Sequence, residues 1–415
     1  MKNTTILLPK TANQHHTHSA NRRQTQNRTI RQILLSSLPC LLLAPLGLLL
    51  TWLSTLNAEL TEKLWSASVY PILAQIVTAV TGLFPFSVAE TVIVFGSIAL
   101  LLSLVLFLIR LVRCKNKARP AEETTEESAP SVRTLRLRMT VRFISVLLSI
   151  VSVGYFLFVL MGGINYNRLT FSHYSGLEVR ESSVEELAAL CTHLAENTNA
   201  LRQHVTTDEN GVFTLSQNIY KTSELAVDAF SGLYPRYPVL EGRYSKPKPV
   251  FFSVAMSYID IAGIFIPMTS ESNINVHMPD YHIPFTMCHE QTHLRGFMRE
   301  DEANFIAYLA CCTSGNIDFQ YSGSLIALTH SMNALYRADY DTFAEIYATY
   351  CDGIRADYAA NREYWKQFEG PVAETATKIN DSYLKANNQS DGVQSYGRMV
   401  DLLLAEFRQT HPQAN

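Results

Sequence analysis

Charge is what this chain has least of. Only 17% of its 415 residues are Asp, Glu, Lys or Arg, against about a quarter in an average soluble protein, and the shortfall is concentrated in the first third. The formal net charge of −3 offers no basic face of the kind that holds nucleic acid, so no nucleic-acid partner is expected. Cysteine is also sparse: there are seven, with no Cys-x-x-Cys pair. That excludes a zinc ribbon and a dense disulfide framework. Cys288 adjoins a histidine, but it reads with Cys311 and Cys312 as a small buried residue.

What replaces the charge is a set of long apolar runs. Residues 1–33 are polar, with His15, His16 and His18 followed by Arg22, Arg23, Arg28 and Arg31, and read as a disordered tail. Residues 34–53 form a charge-free run of bilayer-spanning length, 143–163 is another, and 91–112 is a third apolar run broken only by Arg110 near its end. We read all three as transmembrane helices. Residues 64–89 are uncharged but carry Pro71, Gln75, Gly82 and Pro85; they read as an interfacial or re-entrant segment, with a fourth span as the alternative. The linker 113–142 is rich in basic residues, among them Arg113, Lys115, Lys117, Arg133 and Arg138, whereas 54–90 offers only Lys63. The positive-inside rule places it in the cytoplasm. Residues 164–415 are then expected outside, as an extracytoplasmic domain.

That domain reads as α+β: mostly helical, with a small sheet. Ser183-Val-Glu-Glu186 has the form of a capping box and opens a helix to about His204. Another is expected over 217–233. Residues 247–254, 263–267 and 273–278 read as short strands separated by Gly, Pro and Ser. Asn273–Met278 is the expected edge for an extended substrate. Beyond Cys312 the pattern is helical over 323–337, 340–348, 353–368, 372–385 and 393–407.

The chemistry is concentrated between Pro284 and Phe305. His289-Glu290-Gln-Thr-His293 is an HExxH pattern. Residues i and i+4 of a helix share a face, so the two imidazoles can aim at one ion, with Glu290 beside it as general base. Pro284 suits a first helical turn, and Gly296 a helix stop. A second helix should start near Glu300. A catalytic zinc takes three protein ligands and leaves one position open. Glu300 is the expected third ligand, Glu302 its competitor, and Asn304 a supporting hydrogen-bonding group one turn on. His330, Tyr336, Tyr396 and Arg398 are candidate oxyanion donors; His277 and His282 read as surface or core histidines.

Glu300-Asp-Glu-Ala-Asn304 after HEQTH resembles the ExxA(D/N) helix of gluzincin-type metallopeptidases, including membrane-bound peptidases related to the heat-shock and CAAX-processing group. The resemblance implies that Glu300 binds zinc. The HExxHxxG portion is also similar to metzincins, but the position of their third ligand is held here by Arg299, which binds no metal. The whole chain resembles an uncharacterised bacterial family of membrane proteins. Its marks are N-terminal spans, an HExxH…RExEANF core, and a tail like Asp381-Ser-Tyr-Leu-Lys-Ala-Asn387 followed by Gly392 to Asp401.

These readings together lead us to expect a multi-pass bacterial cell-membrane protein with a zincin-like domain. Its function is expected to be a zinc metallohydrolase acting on a peptide or protein. The alternatives are a catalytically silent sensor or scaffold, and a zinc hydrolase of cell-envelope amide bonds.

Overall fold

The computed structural model describes residues 29–114 and 132–411. The histidine cluster of the N-terminal tail and the centre of the basic linker lie outside the described residues.

Among the described residues, four helices are long and apolar enough to cross a membrane: α1 (Thr29–Leu56), α2 (Ala58–Thr81), α3 (Val88–Arg113) and α4 (Val132–Met161). The chain is a membrane protein. The first two expected spans lie inside α1 and α3; the third, 143–163, lies in α4 except for its last two residues, Gly162 and Gly163, which follow the helix end at Met161. All three helices start before their apolar runs do, at Thr29, Val88 and Val132. Segment 64–89 is mostly helix, the greater part of α2, and it contains a π-turn at Glu62–Ser66.

The chain divides into two compact units. One comprises residues up to Leu49 together with Ile93–Leu157. Here the outward side chains are almost all Leu, Ile, Val and Phe, such as Leu101 and Val151. The few polar contacts satisfy groups that lipid could not. Buried Ser152 donates to the Cys40 carbonyl at 2.7 Å and accepts the Ala44 N–H at 2.9 Å, binding α1 to α4. Phe107 and Phe143 stack at 4.3 Å between α3 and α4.

The second unit comprises Leu50–Val92 and Phe158–Asn415, so α2 belongs with the C-terminal domain. It is mostly helical. The capping box forms as read: Glu186 N–H donates to Ser183 Oγ, and Ser183 N–H to the Glu186 carboxylate, starting α5 (Val184–Arg202). Next comes α6 (Ile219–Asp228), capped by Asn218. A three-stranded sheet follows: β1 (Lys248–Pro249), β2 (Gly263–Ile266) and β3 (Glu271–Ile274). After it come α7 (His282–Leu294), α8 (Glu300–Thr313), α9 (Ile317–Ala338), α10 (Tyr340–Ala348), α11 (Asp352–Lys366), α12 (Pro371–Ala386) and α13 (Met399–Thr410). The core is built on α7, α8 and α9, with Met287, Phe305, Ile306, Phe319 and Leu325 fully buried.

Two strands differ from the sequence reading: the expected 247–254 is strand only at Lys248–Pro249, with a short helix starting at Ser253, and the expected edge is not an edge. The sheet order is β1-β3-β2, so β3, which begins the stretch expected to be the edge, is the central strand. Both its sides are taken, by β1 in parallel and β2 antiparallel. The alternation Asn-Ile-Asn-Val marks a strand without marking its neighbours. The open edge beside α7 belongs to β2.

Candidate metal centre

Helix α7 is buried throughout from Ile283 to Leu294, which is why its polar residues matter: each buried polar group needs a partner. Pro284 lies in its first turn. It ends in a Schellman turn, in which Gly296 N–H donates to the His293 carbonyl at 2.8 Å and Phe297 N–H to the Thr292 carbonyl at 3.3 Å. Gly296 has φ +89°, a backbone that L side chains rarely adopt. The turn reverses the chain, and α8 begins at Glu300, where the positive end of its dipole favours a carboxylate.

The consequence is a convergence. His289 Nε2 and His293 Nε2 lie 3.0 Å apart. Glu300 Oε2 is 3.1 Å from the first and 3.5 Å from the second. These three side chains form a buried group that could hold a metal ion. His293 Nδ1 donates to the Phe297 carbonyl at 2.8 Å, so in the neutral ring Nε2 is the lone-pair nitrogen, free to meet a cation. Two imidazole nitrogens and a carboxylate thus face one another, and Glu300 Oε2 is buried without a hydrogen bond. The donor set, two imidazole nitrogens and a carboxylate oxygen, suits zinc, and a cation among them satisfies all three.

The electrostatics agree. Burial works against charge on Glu300, yet the imidazoles of His293 and His289 hold its carboxyl down at about 2. Burial likewise disfavours the His293 imidazolium, but Glu300 outweighs it and lifts this group to about 9. The carboxylate stays ionised and draws positive charge into the pocket. Glu290 stands beside the cluster. Burial raises its carboxyl despite His289 and His293, and the Phe265 backbone N–H bonds to it. Its Oε2 is buried with no hydrogen bond. Gly263 makes room for it: a Cβ there would fall 2.6 Å from Glu290 Oε1.

Glu302 faces another way. Its Oε1 accepts the Phe171 N–H at 2.9 Å and Arg299 Nη1 at 3.0 Å, fastening the chain as it leaves the span region. Asn304 is buried one turn beyond Glu300. Among the candidate oxyanion donors, His330 is near: burial, with His289 and His282 adding, holds its imidazole down at about 4, hence neutral. Tyr336 is exposed and packs on Tyr340 and Phe343. Arg398 pairs with Asp391 at the surface. The side chain of Tyr396 lies outside the described residues. His282 Nε2 bonds Asn361 at 2.8 Å and His277 Nδ1 meets the Tyr364 hydroxyl at 3.0 Å, both toward α11.

Two neighbours of the cluster were not read from the sequence. Gln389 Oε1 accepts the Glu300 N–H at 3.1 Å, fixing the start of α8. Tyr383 bonds Tyr166 hydroxyl to hydroxyl at 3.0 Å. Burial, with Glu300 adding, raises its phenol, while the Tyr166 bond lowers it. Both lie in or beside the tail Asp381–Asn387. That tail was visible as a pattern, but nothing in it signalled proximity to Glu300.

Fold and site define a class: a membrane protein whose mostly helical domain buries a His–His–Glu cluster fit for a divalent cation. The chain belongs to a family whose description is "Protein of unknown function (DUF3810)"; its model matches residues 65–404, which include the whole cluster. No curated protein and no solved structure matches the chain.

Proposed function

We propose that this protein is a membrane-anchored zinc metallohydrolase, and specifically a peptidase of zincin type, acting on the extracytoplasmic side. One observation carries the reading. His289, His293 and Glu300 present three ligand atoms to one point, with an unbonded Glu290 oxygen beside them. His289, His293 and Glu300 would hold the ion, which when bound supplies Lewis acidity, acidifying water and polarising a carbonyl.

The chain's own residues do the rest. Glu290, whose Oε2 is unsatisfied, takes the proton from the attacking water and delivers it to the departing amine. The 3.1 Å bond from the Glu300 N–H to Gln389 and the His293–Phe297 bond together hold two ligands in register. His330, neutral and near His289, is the favoured donor to the oxyanion.

β2 supplies the place for a peptide. The Asn275 N–H bonds the Ala262 carbonyl, so in the alternating antiparallel pattern Ile264 also faces β3, while Gly263 and Phe265 turn their polar groups away from it, the Phe265 N–H to Glu290 and the others to the open edge. An extended chain added there would pass beside Glu290.

Glu290→Gln tests the reading. The variant should keep its metal and lose hydrolysis of a peptide library by about 10²-fold or more; unchanged hydrolysis would refute the assignment of the base.

A further inference from the structure

Helix α2 has two unlike faces. Tyr70, Ala74, Thr78 and Thr81 form one, and it is buried. The Tyr70 hydroxyl donates to the carbonyls of His293 at 3.3 Å and Leu294 at 3.1 Å, at the end of the metal helix. Thr78 pairs with Ser245, and Thr81 donates to the Thr269 carbonyl at 3.1 Å. Ile72, Ile76, Val80 and Leu83, two residues on and so about 200° round, are bare: 61%, 58%, 58% and 80% exposed.

The ends of α2 tell which way it lies. At its start, Trp65 Nε1 donates to the Leu160 carbonyl at 3.2 Å and Ser66 to Asn165 at 2.8 Å, both at the end of α4. Thr61 donates to the Ser54 carbonyl at 3.0 Å, at the end of α1. At its finish, α2 turns into the start of α3. Two consecutive crossings, by α3 and α4, return the chain to the surface it left, so Val88 and Met161 share one surface. Both ends of α2 are therefore held at that surface. A crossing helix would have them about 30 Å apart in depth.

Aromatic side chains continue the bare stripe. Glu90, in the first turn of α3, accepts the N–H groups of Phe251 at 3.0 Å and Phe252 at 2.8 Å. Their rings are 86% and 52% exposed, and Phe84 and Phe86 are exposed too. Residues tied to the end of a span sit at the bilayer boundary, where apolar and aromatic side chains of an amphipathic helix are buried. Pro267, just after β2, lies against the end of α4: a Cβ on Gly162 would come 3.0 Å from its Cγ. The open edge of β2 starts at the same level.

We propose that α2 lies in the membrane plane as the floor of the metal domain, its Ile72–Leu83 stripe and Phe251 immersed in lipid. The substrate is then the extended stretch that a membrane-anchored polypeptide exposes just outside the bilayer. The substrate part rests on the peptidase reading; the floor does not.

The test places p-benzoylphenylalanine singly at Ile76 and Phe251 in the full chain. The variants go into nanodiscs of phosphatidylethanolamine and phosphatidylglycerol carrying a traceable phospholipid. Phe251 stands far out, its ring meeting Phe252 edge-on at the surface, so its replacement leaves the core packing untouched. After illumination both positions should give lipid adducts at a level comparable with Leu101 in α3. They should exceed by about tenfold the exposed positions Tyr220 and Tyr336, as immersion requires. Adducts no higher than at Tyr220, or adducts to protein from a second copy or another partner, overturn the floor.

A second arm compares one cleavable sequence free in solution with the same sequence on a short tether to a membrane span. The tethered form should be cut about tenfold faster or more, through its higher effective concentration. Lipid adducts with no cleavage of either form remove the peptidase and leave the floor. Equal cleavage without lipid adducts removes the floor and leaves the peptidase.

Discussion

Gly296→Ala tests how the two helices that bear the proposed metal ligands are joined. At φ +89° an alanine carries a left-handed penalty of roughly 1–2 kcal/mol. Its Cβ would also stand 2.9 Å from Tyr70 Cε1 and 3.1 Å from Arg168 Nη1. Both neighbours are buried, so neither moves freely, and such overpacking costs roughly 1–3 kcal/mol. The sum is about 2–5 kcal/mol. Some of it is relieved by shifting Arg295 to Arg299, the segment that sets Glu300 against the histidines. Each 1.4 kcal/mol so transferred weakens metal binding about tenfold.

The assay is a competition titration of the purified full chain against a chromophoric chelator, with thermal unfolding alongside. Gly315→Ala is the control, because no atom lies within 4 Å of its Cβ position and its φ is not positive. Gly296→Ala should lose both stability and affinity, and Gly315→Ala neither. Native affinity and an unchanged unfolding temperature in Gly296→Ala would refute the argument that this turn sets the site.

Two further outcomes follow from buried charge. Arg168 is 2% exposed and binds Glu62 through Nε at 3.0 Å and Nη2 at 2.6 Å. Glu62→Ala leaves that guanidinium without its counter-charge and should cost about 3–5 kcal/mol; the double variant with Arg168→Met should lose less, read by thermal unfolding in detergent. Burial pushes the Glu406 carboxyl up to about 7 despite Arg236. A raised acid binds its proton more tightly folded than unfolded, so its contribution is present below the unfolded value near 4.5 and fades as pH rises through about 7. Glu406→Gln should therefore raise the unfolding temperature at pH 8.5 and change it little at pH 5; equal shifts at both would contradict this.

The parts legible in the sequence were local ones. The i, i+4 histidines, the Gly296 stop and the Ser183 capping box each act within a few residues, and each took the form expected. The choice between Glu300 and Glu302 was not local. It depends on Phe171 and Arg299 occupying Glu302, a contact across 131 residues in the first case. Strand neighbours are equally non-local, so Asn273–Met278 read as an edge while β3 lies in the middle. Gln389 and Tyr383 reach Glu300 from the far end of the chain. Their residue types carry no signal that would have identified them.

Metal content of the purified full chain, measured after loading with zinc and desalting, tests the central claim most directly. The account predicts one ion per chain in the native protein and in Glu302→Ala, and none in Glu300→Ala. Full occupancy in Glu300→Ala with loss in Glu302→Ala, or no zinc in the native chain, would contradict it.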